Sequence, residues 1–167
     1  MITGSDKWYT VAERIRTAVH NELSTVPERS GVVPGAIAWD ACDCGILAVS
    51  IAQVYLSDVF PDDLVTRTAA AGCDAAWEVG ELVIQVIRCA PNPPGQQLHP
   101  TVVALDDSAR LVAIDAFEAL KSTSVELCQM REARDVVDFM IRPQVVQGPE
   151  GGCVGSELRV WVALHRN

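Results

Sequence analysis

The residues most suggestive of chemistry lie near the C-terminus. Gly151-Gly-Cys153-Val-Gly155 has the form of a nucleophile elbow with cysteine in place of serine. An elbow holds its nucleophile on a sharp turn between a strand and a helix, and needs an acid and a histidine later in the chain. Here an alternating strand pattern follows. His165 is present, but no Asp comes after Cys153. The segment therefore reads as a glycine-rich hairpin turn. As a phosphate loop it lacks the Lys that should precede Ser156, and Glu150 would repel phosphate.

Cys42-x-Cys44 beside Asp40 is a candidate metal pair, with Cys73 or Cys153 completing a tetrahedron. Structural zinc pairs prefer two to four intervening residues, so this spacing fits poorly. With no secretion signal and a chain too long to need a disulfide scaffold, all six cysteines are expected as free, mostly buried thiols. His20, His99 and His165 are scattered. Asp62-Asp63 fits a strand-end turn, and Asp106-Asp107 a helix N-terminus, where negative charge complements the dipole. No catalytic residue, cofactor site or metal ligand is assigned, and the chain is expected not to be an enzyme. Of the four tryptophans, Trp161 falls on the polar side of a one-faced strand, where an aromatic can anchor a protein contact.

Helical spacing of Trp8, Val11, Ile15, Val19 and Leu23 predicts a helix over Lys7 to Ser24. Pro27 to Gly45 reads as loop, with strand character around Ala36 to Trp39. Ile46 to Ser57 reads as a strand apolar on both faces, and Trp77 to Cys89 as a second strand. Leu64 to Asp74 reads as an irregular connection. Thr101 to Leu120 is expected as a helix burying Leu105, Ala109, Val112, Ala116 and Leu120 as one stripe. Lys121 to Ser124 looks like a break before a short helix from Val125 to about Arg134. Val136 to Val146 reads as a strand in which Pro143 marks an edge or bulge. Gln147 to Gly152 is a turn, and Leu158, Val160, Val162 and Leu164 alternate with polar positions in a last strand. This order predicts an α+β fold: a mainly antiparallel sheet, with an N-terminal helix and a long central helix packed on it.

The chain has 167 residues, 49% of them hydrophobic, enough for one domain over residues 1–167 with a real core. No apolar run suits a membrane span, and the first residues lack the pattern of a signal peptide. An intracellular setting is expected. The net charge of −9 argues against a surface that grips nucleic acid, since such binding rests on Lys and Arg neutralising phosphates.

Two segments carry a resemblance. One is Val33-Pro-Gly-Ala-Ile-Ala-Trp-Asp-Ala-Cys-Asp-Cys-Gly-Ile-Leu-Ala-Val-Ser50, running on to Tyr55 and Phe60-Pro61. The other is Gly148-Pro-Glu-Gly-Gly-Cys-Val-Gly-Ser-Glu-Leu158. Together they resemble neck and tail-junction proteins of long-tailed phages that infect actinobacteria, and in element order the tail terminators among them. The resemblance implies a structural virion protein at the tail-neck junction, built in the host cytoplasm. It implies a homo-hexameric ring that caps the tail tube protein and meets the head-tail connector or stopper. DNA would pass through its lumen without sequence-specific binding, and no membrane would be involved.

Subunit edges and extended loops do the work in such a ring. The segments expected to make contacts are Pro34 to Gly45, with Trp39, Asp40 and Asp43; Gly148 to Gly155, with Pro149 and Glu150; and the strand bearing Trp161. Both loops are expected to be mobile in the isolated protein. The alternatives are a head-to-tail adaptor or stopper, against which the long helix argues, and a small cytosolic enzyme or metal-binding protein built on Cys42, Cys44 and Cys153.

Overall fold

A computed structural model describes residues 2–39, 44–62, 75–93, 95 and 98–166. The elements run α1 (Lys7–Glu22), β1 (Arg29–Val33), β2 (Ile46–Ser57), β3 (Trp77–Cys89), α2 (Val102–Glu132), β4 (Asp138–Ile141), β5 (Val145–Glu150) and β6 (Cys153–His165). The fold is α+β, as the order of patterns predicts. Leu64 to Cys73 and Asp74, expected as a connection, lie outside the described residues, as do Asp40, Cys42 and Asp43.

The strands form one six-stranded sheet in the order β1-β2-β3-β6-β4, and β5 pairs with β6 beside β4. β1 is parallel to β2, and every other pairing is antiparallel. Alternation decides the faces. Leu82, Ile84 and Val86 on β3 and Leu158, Val160 and Val162 on β6 point into the core, where they meet Val11, Ile15 and Val19 of α1 and Leu127 and Met130 of α2. The periodicity of α1 thus becomes burial as expected. No helix among the described residues is long and apolar enough to cross a membrane.

Several expectations need correction. The segment expected as loop before Gly45 contains β1, which pairs residue for residue with Arg29 opposite Ile46. Ala36 to Ala38 form no strand. Val136 to Val146 is two strands, because the segment around Pro143 leaves the ladder and β5 re-pairs further along β6. Gln147 to Glu150 belong to β5, so the turn itself is Gly151-Gly152, with φ of 55° and 83°. Those left-handed angles favour glycine.

α2 is continuous through Lys121 to Ser124. Ser122 and Thr123 are buried, and the Ser122 hydroxyl donates to the Glu118 carbonyl at 2.7 Å. That back-bond gives the buried hydroxyl a partner within the helix, and burial of this face outweighs the poor helix propensity of Ser and Thr. The stripe expected to be buried is mostly not. Only Val112 of its five residues is in the buried set, while Leu105 is 44% and Leu120 38% exposed. The helix instead buries Asp115, Ala119, Ser122, Thr123, Leu127 and Met130, a face turned towards α1.

Ion pairs fix that arrangement. Arg14 of α1 reaches Glu126 and Asp135 at 2.7 Å each. Arg88 at the end of β3 holds Asp115 through Nε at 2.7 Å and Nη2 at 2.8 Å, and Nη2 also donates to the Thr25 carbonyl. Thr101 caps α2, its hydroxyl accepting from the Ala104 amide at 3.2 Å.

Candidate functional site

Three regions hold the residues that the sequence singles out. The first is the end of the sheet where β2 begins, β3 ends and β6 begins. Cys44 and Cys89 form a disulfide across 45 residues of chain, with Cα atoms 4.7 Å apart. Cys153 sits opposite Cys89 in the β3–β6 ladder and is also disulfide-bonded. The expectation of free thiols is therefore overturned for these three. Antiparallel pairing carries distant cysteines to one end of the sheet at bridging distance, which their spacing along the chain does not show. Among the described residues only Cys128 is a free thiol. Cys44 and Cys153 thus offer no thiolate to a metal or substrate, and Cys153 opens a strand. Gly155 lies so close to β3 that a Cβ there would overlap the Val86 carbonyl oxygen.

The second region is the face of the sheet opposite the helices. Glu81 is paired with Trp161, Val83 with Arg159, and Gln85 with Glu157. Their side chains form one chain of bonds. Gln53 donates to Glu81 at 2.8 Å. Arg159 donates to Glu81 at 2.9 Å and to Glu157 at 2.8 Å, and Gln85 donates to Glu157 at 3.1 Å. The bonds from Arg159 to Glu81 and then to Glu157 raise its pKa further, so it stays charged at any working pH. The Gln85 amide also clamps the backbone of Ile37, accepting from its N–H at 2.8 Å and donating to its carbonyl at 3.0 Å. This anchors the segment leading to half-buried Trp39.

Trp161, expected as an exposed anchor, is only partly exposed. Arg142 lies over its ring at 4.9 Å, and its buried Nε1 has no hydrogen-bond partner. Glu81, Glu157 and Arg159 on this face each have an opposite charge or an amide beside them, as in a structural ion-pair network.

The third region is where α2 passes β5. Pro149 and Glu150 are exposed there. An apolar groove of about 300 Å³ opens between Leu105, Ala109 and Ala113 of α2 and Val146 and Pro149 of β5. The structure thus separates the predicted contact residues: Trp161 belongs to the open face of the sheet, Trp39 follows the segment that Gln85 holds at Ile37, and Pro149 and Glu150 belong to one edge. The exposed apolar side of α2 was missed. Its residues follow helical spacing perfectly well, but the sequence does not say which part of a wide apolar band finds a partner. No protein-family model and no curated protein matches the chain.

Proposed function

We propose that this chain is a structural subunit of a phage neck, a tail terminator that assembles into a ring. The ring would cap the tail tube protein, meet the head-tail connector and pass DNA through its lumen. The observation that supports this best is the state of the sheet edges. Among the described residues β1 pairs only with β2, and β4 and β5 pair only with β6. Counting through the ladders, β1 and β5 run in opposite directions. A head-to-tail array of subunits would therefore bring β5 of one against β1 of the next in the antiparallel sense. Head-to-tail contacts between unlike edges are what closes a ring.

The resemblance supplies the setting, and the order of helix, sheet and long helix agrees with it. The net charge of −9 suits a lumen that does not hold DNA. In this reading the disulfided end of the sheet is a rigid platform from which the turn Gly151-Gly152 reaches towards neighbours. The test is electron cryomicroscopy of particles containing this chain, classified for symmetry at the neck. A six-fold ring between tube and connector whose subunits join β5 to β1 supports the proposal. A chain absent from the particle, or present there as an isolated copy, sinks it.

A further inference from the structure

We propose that Cys89 is the switching sulfur of a thiol–disulfide exchange, passing its bond from Cys44 to Cys153 when a small thiol opens the Cys44–Cys89 link. This concerns the single chain and does not rest on the ring. β3 lies between β2 and β6 in the sheet, so its last residue has a neighbour on either side. On one side is Cys44, bonded to Cys89 with the Cα atoms 4.7 Å apart. On the other is Cys153, directly opposite Cys89 in the β3–β6 ladder. The Ala90 amide donates to the Gly152 carbonyl at 2.8 Å, joining the residue after Cys89 to the one before Cys153. That bond makes Cys89 and Cys153 a non-hydrogen-bonded pair, the closer of the two antiparallel kinds, with Cα atoms about 4.5 Å apart. Such a separation is one that a disulfide spans, and residues directly opposite share a face. Arg88 reaches α2 on the helix side, so by alternation Cys89 points to the other face, away from the free Cys128 of α2.

Exposure sets the order of events. Cys89 is exposed and Cys44 half-buried, whereas Cys153 is 1% exposed. A thiol in solution therefore reaches the Cys44–Cys89 bond first. One glutathione thiolate attacks the Cys44 sulfur, forms a mixed disulfide there and expels Cys89 as a thiolate. A second glutathione attacks the mixed disulfide, frees Cys44 as a thiol and departs as glutathione disulfide. Cys153 is itself disulfide-bonded, to a cysteine outside the described residues. The Cys89 thiolate attacks the Cys153 sulfur. The Cys89–Cys153 bond forms, and the cysteine that held Cys153 leaves as a thiolate and takes up a proton. The two glutathiones supply both electrons, and the last step is an exchange without net reduction. The ladder holds Cys153 beside Cys89, an advantage of proximity that no solution thiol has.

The exchange detaches Cys44 from β3 while keeping β3 stapled to β6. Cys44 is then held by the exposed bond from Arg29 Nη2 to its carbonyl, at 3.0 Å. Ile37 keeps its clamp to Gln85 but loses the covalent fastening further along the chain. The device loosens the connection between β1 and β2 without opening the sheet.

The test is limited reduction of the full chain with glutathione in mildly alkaline solution, where thiols of pKa about 8.5 are partly ionised. Acid quenching, alkylation and peptide mapping by mass spectrometry then locate the bonds. Partly reduced chains should carry a Cys89–Cys153 link, with Cys44 alkylated. In Cys44→Ser the same link should predominate without any reductant, and circular dichroism confirms that this variant folds. Hydrogen exchange at the Ile37 amide should be at least about tenfold faster in the exchanged chain, as local opening becomes easier. Partly reduced chains with Cys89 alkylated and Cys153 still on its first partner overturn the proposal. So does loss of both bonds in one step with no Cys89–Cys153 link. An Ile37 amide equally protected before and after exchange overturns the loosening.

Discussion

Arg88 and Asp115 join the end of β3 to the middle of α2 by a two-bonded fork, and both are almost fully buried. The fork sets where the long helix crosses the sheet. It also decides which side of α2 is buried, since Asp115 points inward among apolar neighbours. Because Arg88 also serves the Thr25 carbonyl, the same guanidinium ties down the segment between α1 and β1.

Removing one partner of this fork leaves a buried charge without compensation. Asp115→Ala should lower unfolding free energy by about 3 kcal/mol, the low end for a broken buried pair. For a chain of this size that is roughly a 10 °C fall in melting temperature. Replacing both groups, with Arg88→Met and Asp115→Leu, should cost much less, because no orphan charge remains. Thermal and urea melts of the three variants check this. Equal losses in the single and double variants would mean that shape, not charge, sets the cost.

The Cys44–Cys89 bond closes a long loop between strands that are already paired. On chain-entropy grounds it should contribute about 4 kcal/mol, chiefly by restricting the unfolded chain. Cys44→Ser with Cys89→Ser should therefore lower the urea midpoint while leaving the far-ultraviolet spectrum of the folded state unchanged. A reducing agent should shift the parent chain at least as far, since Cys153 is disulfide-bonded too. A midpoint indifferent to reductant would show that the bond adds nothing to stability.

Gly80 lies under the Trp8 ring, and a Cβ there would overlap it. Trp8 is held in place by its indole N–H donating to Glu78, which also pairs with Lys7 at 3.0 Å. The ring cannot step aside cheaply, so Gly80→Ala should destabilise by about 2 kcal/mol through overpacking. In a Trp8→Ala background the same change should cost far less, a coupling expected of side chains in contact. Melts of the four proteins in the cycle measure it. Additive losses would place the ring elsewhere.

What the sequence made legible follows from how each signal arises. The limits of β2 and β3 could be read to the residue, because long apolar runs end at polar or proline-rich segments. β1 could not, because five residues with a central glycine become a strand only when Ile46 to Ser50 offer an edge. The break expected at Lys121 to Ser124 failed for a similar reason: local propensity yields to tertiary packing, which buries Ser122 and Thr123 within a continuous helix. The cysteines were misread because pairing depends on ladder register, which brings Cys89 beside Cys153 and the start of β2 near both. At the candidate contacts, glycine and proline density pointed to Pro149 and Glu150, which lie exposed on an edge strand. The exposed side of α2 stayed hidden, since an apolar helical stripe looks the same whether it meets a sheet or nothing.

The hairpin from Gly148 to Gly155, expected to be mobile throughout, should instead divide into two behaviours. Cys153 to Gly155 lie between β3 and β5, are buried, and sit beside the bond from the Ala90 amide to the Gly152 carbonyl at 2.8 Å. Their amides should exchange with solvent nearly as slowly as the core of β6. Among the described residues β5 pairs on one side only, with a register shift before Glu150, and its Val145 and Val146 are exposed. Its slowest amides should exchange at least about a hundredfold faster than those of β6, as local opening of an edge costs far less than global unfolding. Hydrogen exchange at low protein concentration, where copies are apart, makes the comparison. If β5 is protected as strongly as β6 under those conditions, its edge is already covered within the single chain, and it is not the strand through which subunits would join.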